Sequence, residues 1–150
     1  MSPIPLKIFL ADDDEDDREF FSEALISVHP NCELVMVSNG EKAINFFRES
    51  DYVPDFIFLD INMPKKNGLE CLKFIKNRYP DGKFHVVMLS TSSAANIVDM
   101  SYQNGASIYI QKPSRFNELV KYLKYCIVEM KTSESKEDFV LNSRLGHSLR

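Results

Sequence analysis

The stretch DFIFLDINMPKKNG, residues 55–68, opens with an apolar run that does not alternate with polar residues. A strand with one solvated face alternates, so Phe56-Ile57-Phe58-Leu59 suits a strand buried on both faces, as in a parallel sheet covered by helices. A carboxylate, Asp60, follows immediately at the expected carboxyl end of that strand. Beyond it Met63-Pro64 and Gly68 shape a loop before an apolar helical period resumes at Leu69, Leu72, Phe74 and Ile75.

The same alternation of short apolar run and helical period recurs on either side. LKIFLA (6–11) reads as a strand, and Phe20, Phe21, Ala24, Leu25 and Val28 then give one helical face. CELVMV (32–37) is a second strand, followed by a helix from about Gly40 to Ser50; FHVVMLS (84–90) is the fourth, after the turn Pro80-Asp81-Gly82. Ser92 or Ser93 is placed to cap a helix over 94–104, which Gly105 ends in the left-handed conformation. SIYIQ (107–111) is the fifth strand, and Lys112-Pro113 leads to a last amphipathic helix through Phe116, Leu119, Val120, Leu123 and Ile127. Strands alternating with helices predict a doubly wound α/β fold, because right-handed crossovers place helices on both faces of a parallel sheet. From about Lys131 the apolar period is lost, so residues 1–130 are expected to form one domain and 131–150 a polar tail without an effector domain. Phe139, Val140 and Leu141 could still pack as a short added element, and partial order is expected there.

Composition narrows the function. A formal charge of -4 and no basic cluster beyond Lys65-Lys66 give no footprint for a nucleic acid backbone. No basic leader and no apolar run near the roughly 20 residues that span a bilayer are present, so a cytoplasmic protein without membrane contact is expected. Cys32, Cys71 and Cys126 lack zinc or redox spacing and read as free thiols.

In an open α/β sheet, ligands bind beyond the carboxyl ends of the strands. That rule brings Asp12-Asp13, Asp60, Ser90-Thr91 and Lys112 to one edge. Clustered carboxylates repel one another and call for a cation or a raised pKa. Magnesium suits two or three protein oxygens completed by water and a phosphoryl oxygen. An aspartate can also attack a phosphoryl group, with an ammonium offsetting charge on the transferring oxygens.

These four segments, Asp12-Asp13, LDINMPKKNG with Asp60, LST with Ser90, and QKP with Lys112, together resemble the receiver domain of two-component response regulators, of the single-domain, chemotaxis-regulator-like type. The resemblance covers about residues 6–130 and implies a flavodoxin-like, five-stranded parallel sheet of order 2-1-3-4-5. It implies that Asp60 accepts a phosphoryl group from a phosphohistidine on a sensor histidine kinase or histidine phosphotransfer protein. Asp13 and Asp60 would hold Mg2+ directly, Asp12 through water, and Asn62 through its backbone carbonyl. Ser90 would be the switch hydroxyl, with Thr91 its alternative, Lys112 the phosphate-pairing cation, and Tyr109 the aromatic that turns inward on activation. A cis Lys112–Pro113 bond, output to a downstream protein through helix 4, strand 5 and helix 5, and a possible homodimer complete the implied picture. Such a protein signals and catalyses only its own phosphoryl transfer and dephosphorylation.

Two rivals share the acidic run ADDDEDDREFFSE (11–23). Asp12, Asp14, Asp16 and Glu23 match positions 1, 3, 5 and 12 of a calcium-binding EF-hand, but Asp17 stands where that loop needs glycine. A phosphatase with an aspartate nucleophile after the first strand, of the haloacid-dehalogenase type, is approached by Asp12-Asp13-Asp14-Glu15-Asp16, but the end of its motif and a cap domain are missing. In the favoured reading Asp14 caps the first helix or lines the pocket rim, and Glu15, Asp16 and Asp17 interact with the helix dipole.

Overall fold

The computed structural model describes residues 4–129 and 139–142. Its elements run β1 (Leu6–Ala11), α1 (Glu15–Val28), β2 (Cys32–Val37), α2 (Gly40–Glu49), β3 (Phe56–Asp60), α3 (Gly68–Arg78), β4 (His85–Ser90), α4 (Ala95–Gln103), β5 (Ile108–Gln111), α5 (Phe116–Lys124) and β6 (Val140–Leu141), with a π-helical turn at Tyr125–Glu129. All strand pairs are parallel, in the order β2-β1-β3-β4-β5-β6.

Every residue of β3 is buried, as its unbroken apolar run predicts. Successive side chains go to opposite faces. Phe9, Ile57 and Leu59 therefore join the core beneath α2 and α3, while Ile8, Leu10 and Phe58 join the core beneath α1 and α5. Each large side chain so buried contributes about 1.5–3 kcal/mol relative to exposure. Both faces of the sheet are thus closed, and only the strand ends and the outer strand edges remain for chemistry.

Three helices start on side-chain caps that fix where the connecting loops stop. The Asp14 carboxylate accepts the Asp17 N–H (3.1 Å) at α1, Asn39 accepts the Lys42 N–H (2.8 Å) at α2, and Asn67 with Glu70 forms a capping box at α3. Gly68 also has to be small: a Cβ there would lie 2.8 Å from Ile61 Cα, because its N–H turns back to the Ile61 carbonyl at 3.0 Å. The loop after Asp60 is thereby folded onto the strand end.

Three expectations are corrected. The sheet has six strands rather than five, since β6 adds to the edge of β5, where the Tyr109 N–H donates to the Phe139 carbonyl at 2.9 Å. Neither Ser92 nor Ser93 caps α4: the helix begins at Ala95 after Ala94, and the Ser92 hydroxyl instead accepts the Ala94 N–H at 3.1 Å. The Lys112–Pro113 bond is trans, as no described peptide bond is cis; trans is the lower-energy form by roughly 0.5–1 kcal/mol even before proline. Gly105 ends α4 with φ 92° as its position predicts.

Candidate functional site

Among the described residues, the carboxyl ends of β1, β3 and β4 carry three of the four buried polar residues: Asp12, Asp60 and Ser90. Asp12 and Asp60 are 2% and 4% exposed, and with exposed Asp13 they offer oxygens that all lie within 4.8 Å of one another. The register explains the meeting. Leu10 pairs with Phe58 and Ala11 with Leu59, so the residues that follow, Asp12 and Asp60, emerge side by side.

Lys112 crosses to this cluster from the end of β5. Its Nζ lies 3.0 Å from Asp12, 3.3 Å from Asp60 and 2.9 Å from Asp17. Its own N–H donates to the Ser90 carbonyl at 2.8 Å, which ties the β4 and β5 ends together. Ser90 is the last residue of β4 and fully buried, whereas Thr91 is exposed. The Ser90 hydroxyl accepts the Ser92 N–H at 3.0 Å. Asn62 sits at the rim, its N–H donating to Asp60 Oδ1 at 3.2 Å.

The electrostatics follow from burial among like charges. Asp60 is pushed up to about 7, first by burial, opposed by the Lys112 charge and raised again by the charge on Asp12. Asp12 is also held above the ordinary carboxylate range by burial. Burial works against the charge on Lys112, but the hydrogen bond to Asp17 and the charges of Asp12 and Asp60 outweigh it and hold the ammonium above its usual value. A pair of buried carboxylates that resists ionisation, with a third beside it, is a donor set that fits a hard divalent cation: oxygen ligands, excess negative charge, and an open side at Asp13.

Asp17 is the residue that sequence reasoning missed, having been assigned to the helix dipole alone. Side chains in a helix tilt toward its N-terminus. In the first turn of α1 that direction is the carboxyl edge of the sheet, where Lys112 arrives. Arg18 also reaches back to the end of β1, its Nη1 donating to the Asp12 carbonyl at 2.8 Å. The EF-hand alternative fails on geometry, because α1 starts at Glu15 and a helix through Asp16 and Glu23 cannot wrap around an ion. Cys71 is buried with its thiol pushed up to about 12, which leaves it protonated and inert.

Tyr109, on β5, is fully buried and points inward, its hydroxyl donating to the Ser92 carbonyl at 2.6 Å. The backbone just beyond Ser90 thus connects this ring to the site. Among the described residues no helix is long and apolar enough to cross a membrane.

Residues 8–124 match the family model described as the response regulator receiver domain. DegU, a transcriptional regulatory protein of Brevibacillus brevis, is 34% identical over 113 residues, which is 73% of this chain and 46% of DegU. The response regulator Rcp1 of a Synechocystis species is 30% identical over 125 residues, covering 80% of this chain and 85% of Rcp1. Among solved structures, the phosphorylated cyanobacterial phytochrome response regulator RcpA superposes with a TM-score of 0.75 at 31% identity, covering 85% of this chain and 97% of RcpA. The Mn(2+)-bound form of Rcp1 gives 0.74 at 27% identity, covering 86% and 99%.

Proposed function

The chain belongs to the response regulator receiver domain family, whose members accept a phosphoryl group in two-component signalling, and from that premise we propose that Asp60 is the acceptor. The observation that carries this reading is the buried Asp60 carboxylate 3.3 Å from the Lys112 ammonium, with Asp12 and Asp13 oxygens beside it at the sheet's carboxyl edge.

In the proposed reaction an Asp60 oxygen attacks the phosphorus of a phosphohistidine. The new O–P bond forms as the N–P bond breaks, and the electron pair returns to the imidazole. Lys112 donates to the oxygens that gain charge, and Ser90 supplies a hydroxyl at the same edge. Asp13 and Asp60 directly, Asp12 through water and Asn62 through its carbonyl would hold Mg2+, which supplies charge neutralisation at the phosphoryl oxygens. Later attack by water on the same phosphorus returns Asp60, so the chain catalyses only its own phosphorylation and dephosphorylation.

The donor in this reading is a cytoplasmic sensor histidine kinase or histidine phosphotransfer protein, and the likeness to RcpA makes a phytochrome-type kinase the first to try. Output passes to a downstream protein through α4, β5 and α5, the face beside Tyr109, with a homodimer as a second possible assembly.

Incubation with acetyl phosphate and Mg2+ tests the assignment. The wild-type chain is expected to gain acid-labile phosphate, and Asp60→Asn to gain none. Phosphate on Asp60→Asn at the wild-type rate would remove Asp60 from this role. Steady turnover of unrelated phosphomonoesters would favour a phosphatase instead.

A further inference from the structure

The edge of β5, with α4 beside it, carries an occupant from the chain itself. Phe139 is fully buried, with its ring 5.3 Å from Tyr102 of α4 and 6.3 Å from Tyr109 of β5. Val140 and Leu141 continue as β6, in register with Tyr109 and Ile110. Phe139 joins the core on one face of the sheet and Leu141 the core on the other, so the segment grips the edge from both sides. This occupies the edge that β5 would otherwise present to a partner strand.

The ring that Phe139 touches is the one whose hydroxyl reaches the Ser92 carbonyl, two residues beyond Ser90. In that inward position the Tyr109 ring packs against Phe139, with the two rings tilted by 48°. The docked strand and the inward Tyr109 thus share a ring contact and a main-chain hydrogen bond.

We propose that the β5 edge is a strand-acceptor site filled in cis by residues 139–141, and that its occupancy is coupled through Tyr109 to phosphoryl binding at Asp60. The proposal rests on the Asp60 reading given above. The strand acts as a second input to the switch: docked, it favours the inward ring, and by linkage a phosphoryl group that favours the inward ring tightens the strand. An extended aromatic-x-aliphatic segment is the chemistry the site accepts, since main-chain pairing supplies affinity and the two flanking apolar pockets supply selectivity.

The Tyr109 amide reports docking directly, because it donates to the Phe139 carbonyl at 2.9 Å. Its hydrogen exchange is measured by NMR in the full wild-type chain with Mg2+ alone and with beryllofluoride added. Saturation with beryllofluoride is expected to slow exchange by about tenfold, within the usual range of coupling between sites. Phe139→Ala is expected to raise the beryllofluoride concentration for half-saturation, followed by fluorine NMR, by up to that same factor. A peptide spanning residues 136–142 added to this variant is expected to restore it. Unchanged Tyr109 exchange in a wild-type chain that binds beryllofluoride overturns the coupling and leaves the Asp60 reading standing; this arm needs no variant to fold. Wild-type chain that binds no beryllofluoride overturns both. Protection that rises with protein concentration would place the strand on a second copy and overturn docking in cis.

Discussion

Replacing Asp60 by asparagine should make the metal-free protein more stable, and increasingly so as pH rises. Asp60 is raised from 3.8 to about 7 in the folded chain, chiefly by burial. Below about 3.8 the carboxyl is neutral in both states and has no effect on the balance. As pH rises further, the unfolded chain releases a proton that the folded chain still holds, so stability falls until Asp60 ionises in the fold near pH 7, and then levels off. At about 1.4 kcal/mol per unit, the shift amounts to a loss of about 4 kcal/mol, of which roughly 3 kcal/mol falls between pH 5 and pH 8. Asparagine keeps the shape without the charge and should recover most of this. For a chain of 150 residues a gain of that size raises Tm by roughly 8–16 °C. The assay is thermal unfolding of wild type and Asp60→Asn in EDTA from pH 5 to pH 8. Comparing the two chains cancels the titration of distant groups. A Tm difference that does not grow with pH, or a variant less stable than wild type at pH 8, would refute the reasoning.

The same charge balance yields two further expectations, and the close packing at Gly68 a third. Mg2+ at about a hundred times its Kd should add about 2.7 kcal/mol of stability at pH 8. It should add far less at pH 5, where Asp60 keeps its proton, and Asp13→Asn should remove the gain in titrations followed by thermal unfolding. Lys112→Ala leaves Asp12 and Asp60 without their ammonium and should cost about 3–5 kcal/mol at pH 8, as loss of one partner of a buried pair does, with a smaller loss at pH 5, both read by urea unfolding. Gly68→Ala puts a Cβ against the backbone of Asp60 and Ile61 and should cost about 1–3 kcal/mol; phosphate uptake from acetyl phosphate should slow with it.

How far the fold was legible depended on how local the signal was. The runs LKIFLA and CELVMV coincide with β1 and β2, and DFIFLD and FHVVMLS with β3 and β4 to within a residue, because apolar content and turn chemistry bound each run on both sides. β6 has only two residues, and its pairing depends on an edge far away in sequence. A strand of that length has no periodicity to detect; the burial of Phe139 between two tyrosines decides it. The start of α4 was misplaced for a related reason. Serine at 92 can satisfy a neighbouring N–H either as a cap or as a turn, and both use the same hydroxyl. Here it accepts from Ala94, ahead of the helix.

The acidic run from Asp12 to Asp17 shows what a one-dimensional reading leaves out of a site. Spacing along the chain separates a strand end from a helix start, and it assigned Asp12 and Asp13 to one role and Asp17 to another. In the fold, the ammonium of Lys112 joins them. It has three N–H donors and three carboxylates around it, Asp12, Asp17 and Asp60. Two of these partners, Asp12 and Asp17, flank the start of α1 and take no part in an ester formed at Asp60. In the proposed reaction, once Asp60 is esterified its oxygen no longer carries the charge that attracts the third donor, and a phosphoryl oxygen next to it does. Lys112 can therefore exchange one partner while the other two hold it in place. On the proposed reading, the carboxylate that looked like a helix-dipole residue thereby helps keep Lys112, 95 residues away in sequence, beside the acceptor Asp60.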